Sequence, residues 1–196
     1  MIVAKLYFYY SAMNAGKTTS LLQSEYNYRE RGMNTLLFIP IFDDRYEKGY
    51  IASRIGLKAQ AVPFDTAFNF YEFVEKKIKE PDHRIKCVLV DEAHFLTKNH
   101  VSQLSDISDF LKVPVLTYGL RTDFLGEPFE GSKYLLAHAE EICEIKTICH
   151  CGRKATMNAR IDGQGKMVDA GEQVEIGGND RYVSLCHRHF KQKITA

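Results

Sequence analysis

Two hydrophobic patterns alternate along the first three quarters of the chain. Short and nearly continuous apolar runs, typical of strands buried on both faces, occupy residues 6–10, 35–39, 87–90 and 113–120. Apolar residues at helical spacing occupy residues 18–31, 68–79 and 97–111. Gly32 and Pro81 follow the first two of these helical segments and indicate their ends. Strands that alternate with helices predict an α/β fold with a mostly parallel sheet flanked by helices.

The pattern changes after residue 144. Residues 145–150 and 155–161 predict two further strands, and Asp162-Gly163-Gln164-Gly165 is a hairpin-type turn signal. No long linker separates this part from the first. We therefore expect two domains that pack directly together, a nucleotide-binding domain at 1–144 and a small β/loop domain at 145–196.

Residues 11–18 read SAMNAGKT and fall between the first predicted strand and the first predicted helix, which is the position of a phosphate-binding P-loop. Backbone N–H groups in such a turn bind phosphate oxygens, and Gly16 lets the backbone come close to them. Lys17 can reach the terminal phosphates, and the Thr18 hydroxyl can ligate Mg²⁺. Ser11 stands where such loops usually have their first glycine. The sequence predicts a P-loop (RecA-like) fold that binds ATP.

Two carboxylates, Asp91 and Glu92, follow the apolar run at 87–90. Ligands bind at the carboxyl ends of parallel strands, so both side chains are expected at the phosphate site. Asp91 is suited to orient Mg²⁺, and Glu92 is suited to accept a proton from an attacking hydroxyl or to orient a water. With Ala93 and His94 the segment also spells the box of certain helicases. A nucleic-acid-stimulated ATPase is therefore an alternative to a kinase.

The overall charge argues against that alternative. The chain of 196 residues has a formal net charge of +1, which provides no general attraction to nucleic acid or to an anionic membrane. Its length suits one α/β domain with an appendage rather than two motor domains.

A non-catalytic zinc-ribbon module with a degenerate P-loop is a third possibility. The first residues do not resemble a signal peptide, and we expect a cytoplasmic protein.

A cluster of cysteines and histidines lies in the last quarter of the chain. Cys149 and Cys151 precede Cys186 and His189 by about 35 residues, near the range of two-part zinc sites. These four residues form a complete tetrahedral set, which predicts a structural Zn²⁺ site. The one-residue gap in the first pair is tighter than usual, and His150 and His187 are possible substitute ligands.

The P-loop, the acidic pair and the zinc cluster together resemble the cellular-type (type II) thymidine kinases, most closely the bacterial members. The segments YFYYSAMNAGK from Tyr7, YGLRTDF from Tyr118 and IGGNDRY from Ile176 carry the resemblance, which covers nearly the whole chain. It implies ATP- and Mg²⁺-dependent phosphorylation of thymidine, with deoxyuridine possible, at the 5′-hydroxyl for nucleoside salvage and DNA synthesis. It also implies a homotetramer and feedback inhibition by thymidine triphosphate. No nucleic-acid or membrane partner is expected.

The resemblance also implies roles for individual residues. Glu92 matches the catalytic base, and Asp43 and Arg45 match a segment near the phosphates. The segment from about 157 to 182 matches a lasso loop that closes over the nucleoside. The predicted ATP site comprises Ser11, Ala12, Met13, Asn14, Ala15, Gly16, Lys17, Thr18, Arg45, Asp91, Glu92, Ala93 and His94, with Thr18 and Asp91 for Mg²⁺. The predicted nucleoside site comprises Met13, Phe95, Leu120, Phe124, Val174, Glu175, Ile176, Gly177 and Tyr182. His94 stands where many relatives have glutamine.

Overall fold

The computed structural model describes residues 4–43, 49–80, 84–173 and 181–195. Twelve strands and five α-helices are described there. In chain order they are β1 (Leu6–Ser11), α1 (Lys17–Glu30), β2 (Asn34–Pro40), β3 (Tyr50–Ala52), β4 (Lys58–Gln60), β5 (Val62–Phe64), α2 (Phe70–Ile78), β6 (Ile85–Val90), α3 (Lys98–Asp106), β7 (Val115–Leu120), α4 (Glu130–His138), β8 (Glu141–Glu144), β9 (Thr147–Ile148), β10 (Lys154–Ala155), β11 (Met157–Arg160), β12 (Tyr182–Leu185) and α5 (His187–Gln192).

The main sheet has six parallel strands in the order β5-β2-β6-β7-β1-β8. The predicted α/β fold is therefore confirmed. β6, β7 and β1 lie inside the sheet and are covered on both faces, as their continuous apolar runs predict. One core layer packs on the side of α2 and α3 and the other on the side of α1. Pro114 lacks an N–H group, and β7 begins one residue after it.

The three predicted helices of the first part are confirmed with small shifts at their ends. The predicted helix at 97–111 consists of α3 followed by a π-helical turn, Ile107–Leu111. Val101, Leu104 and Ile107 are fully buried on its inner face. Thr97 begins α3 with a capping box, in which its hydroxyl accepts from the His100 N–H.

The predicted strand at 145–150 is wrong in extent, because only Thr147–Ile148 is a strand. The chain turns sharply after Ile148: the Cys149 N–H donates to the Arg153 carbonyl, and Gly152 adopts a left-handed φ of 78°. β9 pairs with β10, and β11 pairs with β12, as separate two-stranded sheets. The hairpin turn at 162–165 is confirmed by the bond from Gly165 N–H to the Asp162 carbonyl.

Six features were not predicted from sequence: the β3–β4 hairpin, β5, α4, β8, β12 and α5. β8 is a polar edge strand of the main sheet, and the sheet ends with it at Glu144. The division into domains at 144/145 stays a prediction. Among the described residues, no helix combines the length and the apolar character needed to cross a bilayer.

Candidate active site and metal cluster

The loop between β1 and α1 has the geometry of a phosphate-binding turn. Asn14 and Gly16 adopt left-handed φ angles of 61° and 82°, whereas Ser11 ends β1 in extended conformation. Serine at the first position of the motif is therefore compatible with the backbone there. Gly16 is the N-cap residue of α1 and has no side chain that could cap the first N–H groups of that helix. Uncapped N–H groups at a helix start favour an anion.

Lys17 is folded back over this loop and is only 8% exposed. Its ammonium donates to Ser11 Oγ at 3.2 Å and to the Ala12 carbonyl at 3.3 Å. The side chain of the next residue points to the neighbouring strand, where Thr18 Oγ1 donates to Asp91 Oδ2 at 3.0 Å. This contact brings the loop and the acidic pair together, as predicted from their places at the carboxyl ends of β1 and β6.

A hydroxyl and a carboxylate at this distance are the hard oxygen ligands that Mg²⁺ prefers. Thr18 and Asp91 therefore fit a magnesium ion, which would supply positive charge at this end of the cavity.

Glu92 follows Asp91 in an unusual backbone conformation, with φ 48° and ψ 39°. The Asp91 carboxylate holds it there by accepting its N–H at 3.0 Å. A 3₁₀ turn, Ala93–Phe95, comes next. It packs tightly against Gly119, where an added Cβ atom would lie 2.9 Å from the backbone nitrogen of His94. The left-handed residue turns the chain sharply at the end of β6.

His94 is the central residue of this 3₁₀ turn and is 3% exposed. Its Nδ1 accepts the Leu120 N–H at 3.2 Å, which places the proton of the neutral ring on Nε2. The same Nδ1 lies 3.6 Å from a Glu92 carboxylate oxygen. The His94 ring also packs against Phe95 and Phe129 with centroid distances of 4.0 and 4.6 Å. His94 thereby holds the strand end that carries Leu120 and lies beside Glu92.

A single cavity of about 350 Å³ joins these groups. Its predicted lining residues are Met13, Asn14, Gly16, Lys17, Thr18, Asp43, Asp91, Glu92, His94, Phe95, Leu120, Phe124 and Tyr182. Ser11 and Ala12 contact Lys17 behind the lining, and Ala93 is fully buried in the core. Arg45, Val174, Glu175, Ile176 and Gly177 lie outside the described residues.

Sequence reasoning did not identify several other lining residues. The β3–β4 hairpin contributes Ile51, Ala52, Ser53, Arg54 and Ile55, and further positions are Phe42, Thr122, Asp123, Phe129, Asn158 and Gln173. Asn158 connects the two parts of the chain: its Oδ1 accepts the Met13 N–H at 2.7 Å, and its Nδ2 donates to the Thr122 carbonyl at 2.9 Å. Ser184 Oγ donates to the Met13 carbonyl at 2.6 Å.

The predicted zinc ligands come together. The ligand atoms of Cys149, Cys151, Cys186 and His189 all lie within 4.8 Å of one another. Cys149 Sγ is 3.4 Å from His189 Nδ1, and Cys151 Sγ is 3.9 Å from Cys186 Sγ. The edge of a tetrahedron with Zn–S bonds of the usual length is roughly 3.8 Å, so this donor set fits Zn²⁺. His150 stacks on the His189 ring at 4.4 Å.

The surroundings of Cys149 favour its thiolate, the form that binds metal. Burial alone would raise the pKa of Cys149. Hydrogen bonds from the backbone of Cys151 and Cys186 and from the His189 ring outweigh burial and lower that pKa to about 6. A set of four protein ligands leaves no open position, so the site is structural in type.

Comparisons with known proteins show which proteins the chain is similar to. A family model described as thymidine kinase matches residues 4–190. A thymidine kinase of Coxiella burnetii (strain RSA 493 / Nine Mile phase I) is 58% identical over 189 residues, which is 96% of each chain. One of Legionella pneumophila (strain Lens) is 59% identical over 190 residues, covering 97% of this chain and 90% of its own. A Bacteroides Pif1 structure bound to ssDNA overlaps 74% of this chain and 38% of its own, with a TM-score of 0.37 and 14% identity, too low to support an argument.

Proposed function

The chain belongs to the thymidine kinase family, and from that premise we propose that it transfers the γ-phosphoryl group of ATP to the 5′-hydroxyl of thymidine. One observation carries the proposal. Lys17, Thr18, Asp91 and Glu92 line the same cavity as a group of apolar and aromatic side chains. Polar groups suited to a triphosphate and apolar side chains suited to a nucleobase thus share one space.

The phosphate end would hold the triphosphate of ATP on the backbone N–H groups of residues 11–18. Lys17 stabilises the charge on the transferring group, and Thr18 and Asp91 provide the oxygens for magnesium. Asp43 also lines the cavity. We propose Arg45, on the family resemblance, as a second cation that acts on the phosphates.

Glu92 is the proposed general base. This residue lines the cavity, and its left-handed backbone is held by Asp91. It would take the proton from the 5′-hydroxyl as that oxygen attacks phosphorus in line with the leaving group. Thymidine would lie among Met13, Phe95 and Leu120, with Phe124 and Tyr182. We propose residues 174–177 as main-chain contacts to the base, on the family resemblance.

Glu92→Gln tests the role of the base. We expect the variant to retain thymidine binding and to turn over at least ~100-fold more slowly, the usual size of general-base catalysis. Initial rates of thymidine-dependent ADP release measure the change, and Glu72→Gln, an exposed helix carboxylate, is the matched control. Near-normal turnover of Glu92→Gln would remove this residue from the mechanism.

The same assay separates the other functional classes. Thymidine-dependent ADP release supports the kinase, ADP release stimulated by single-stranded DNA supports a helicase-like ATPase, and no turnover supports a non-catalytic module.

We also propose, on the family resemblance, a cytoplasmic homotetramer that thymidine triphosphate inhibits by occupying the nucleoside and phosphate sites together. Sedimentation and addition of the triphosphate to the assay test these two properties.

A further inference from the structure

Arg160 is a buried cation behind the predicted nucleoside end of the cavity. It lies on β11 directly opposite Tyr182 on β12, and it is 4% exposed. Its guanidinium carbon lies 3.8 Å from the centroid of the Phe124 ring. Its Nε donates to the Tyr182 hydroxyl at 3.0 Å, and its Nη2 donates to the Glu172 carbonyl at 2.8 Å. One side chain thus contacts three separate segments of the chain.

The chemistry of these contacts is specific to arginine. A planar guanidinium can stack on an aromatic face and donate hydrogen bonds in its own plane at the same time, whereas a lysine ammonium cannot do both. The main chain also passes close by at Gly171, where a Cβ atom would lie 3.1 Å from Arg160 Nη1 and φ is +133°. A buried cation destabilises a fold unless such partners surround it, so the arrangement favours a defined role.

That role acts through neighbours that face the cavity. Phe124 and Tyr182 line the cavity, and so does Gln173, which follows Glu172 in the chain. Arg160 itself is not among the described residues that line it. It therefore contacts Phe124 and Tyr182 without lining the cavity itself, and it holds the carbonyl beside Gln173.

We propose that Arg160 is a positioning residue that sets the shape of the nucleoside end of the cavity by fixing Phe124, Tyr182 and Glu172 from behind. The proposal rests on the proposed function, since it assigns that end of the cavity to thymidine. It predicts an effect on the nucleoside that the triphosphate does not share, because Lys17 and Thr18 bind at the other end.

The test uses the full chain with three substitutions. Arg160→Met keeps an unbranched chain out to about the position of Nε and removes the guanidinium with its charge and hydrogen bonds. Arg160→Lys keeps the charge but loses the planar fork, and Arg188→Met removes an exposed arginine that bonds Gln192 on α5. Steady-state rates give the KM for thymidine, the KM for ATP and kcat for each protein, and the melting temperature and zinc content report folding.

We expect Arg160→Met to raise the KM for thymidine at least about tenfold, the effect of losing a charged hydrogen bond and a cation–π contact, with an ATP KM within about twofold of wild type. The thymidine KM of Arg160→Lys should fall between those of wild type and Arg160→Met, and the thymidine KM of Arg188→Met should match wild type.

An unchanged thymidine KM in folded Arg160→Met would overturn the proposal, and so would equal increases in the KM values for thymidine and ATP. If Arg160→Met does not fold, the same ratio in Arg160→Lys decides. A wild-type protein without thymidine-dependent activity would instead refute the proposed function.

Discussion

Replacing Asn158 with alanine tests whether the small β/loop part stabilises the phosphate loop. Asn158 lies on β11 and is 2% exposed. Its amide accepts the Met13 N–H and donates to the Thr122 carbonyl, at 2.7 and 2.9 Å. One side chain therefore joins β11 to the loop that follows β1 and to the segment that follows β7. Alanine removes both bonds and leaves the backbone of β11 intact.

The magnitude follows from these two bonds. Each intramolecular hydrogen bond contributes about 0.5–1.5 kcal/mol, so Asn158→Ala should lower the free energy of unfolding by about 2 kcal/mol. For a chain of this size that loss lowers the melting temperature by about 4–8 °C. The KM for ATP should rise as well, because Met13 belongs to the turn that would bind the triphosphate. The KM for thymidine is not diagnostic, since Asn158 also lines the cavity.

Thermal unfolding followed by circular dichroism, together with initial rates at varied ATP, measures both effects. Asn27→Ala is the matched control, because its amide makes one exposed bond with Gln23 on α1. The control should stay within about 0.5 kcal/mol of wild type. If Asn158→Ala melted within 1 °C of wild type, by the scale of about 2–4 °C per kcal/mol, and kept its ATP KM, the two bonds would not connect the parts in solution.

Two further predictions concern the metal cluster and a buried histidine. The Cys151→Ser variant should lose its bound zinc, and its melting temperature should fall by more than about 5 °C. The control is Cys143→Ser, which replaces a thiol outside the cluster and should keep the metal. Equal zinc content per chain in the two variants would contradict the assignment. Burial among Phe64 and Phe70 lowers the pKa of His100 below its usual 6.5. The folded state therefore binds fewer protons than the unfolded state. The stability that this residue contributes above pH 6.5 is lost as the pH falls through the pKa of the folded state. His100→Gln keeps a capping-box residue and should reduce the loss of stability between pH 7.5 and about 5.5 in urea unfolding; an unchanged pH dependence would contradict this.

The sequence predicts the phosphate end well because its signals are local. The turn at 11–18, α1 and the run at 87–90 are each recognisable within a few residues, and parallel pairing then brings Thr18 to Asp91 without further information. The zinc cluster is also predictable, because four soft ligands at a suitable spacing restrict the chain strongly.

The supporting contacts are different, because they join residues that are distant in sequence. Met13 bonds Asn158, 145 positions away, and Ser184, 171 positions away. A single polar side chain within a short strand gives no periodic signal that names such a partner. Arg160 is similarly indistinguishable in sequence from a surface arginine, and only the packing of Phe124 and Tyr182 around it shows its burial. The edge strand β8 escapes prediction because half of its residues are glutamate.

The backbone at Glu92 gives an independent reason to place chemistry at this turn. A non-glycine residue at φ 48° and ψ 39° costs about 1–2 kcal/mol relative to right-handed conformations. Ending a strand does not require this cost, because glycine or asparagine would reduce it. The surroundings nevertheless enforce the conformation: the Asp91 carboxylate accepts the Glu92 N–H, and a side chain at Gly119 would collide with the backbone of the 3₁₀ turn. Strain that is retained at a carboxylate lining a cavity is better explained by the position of that carboxylate than by stability.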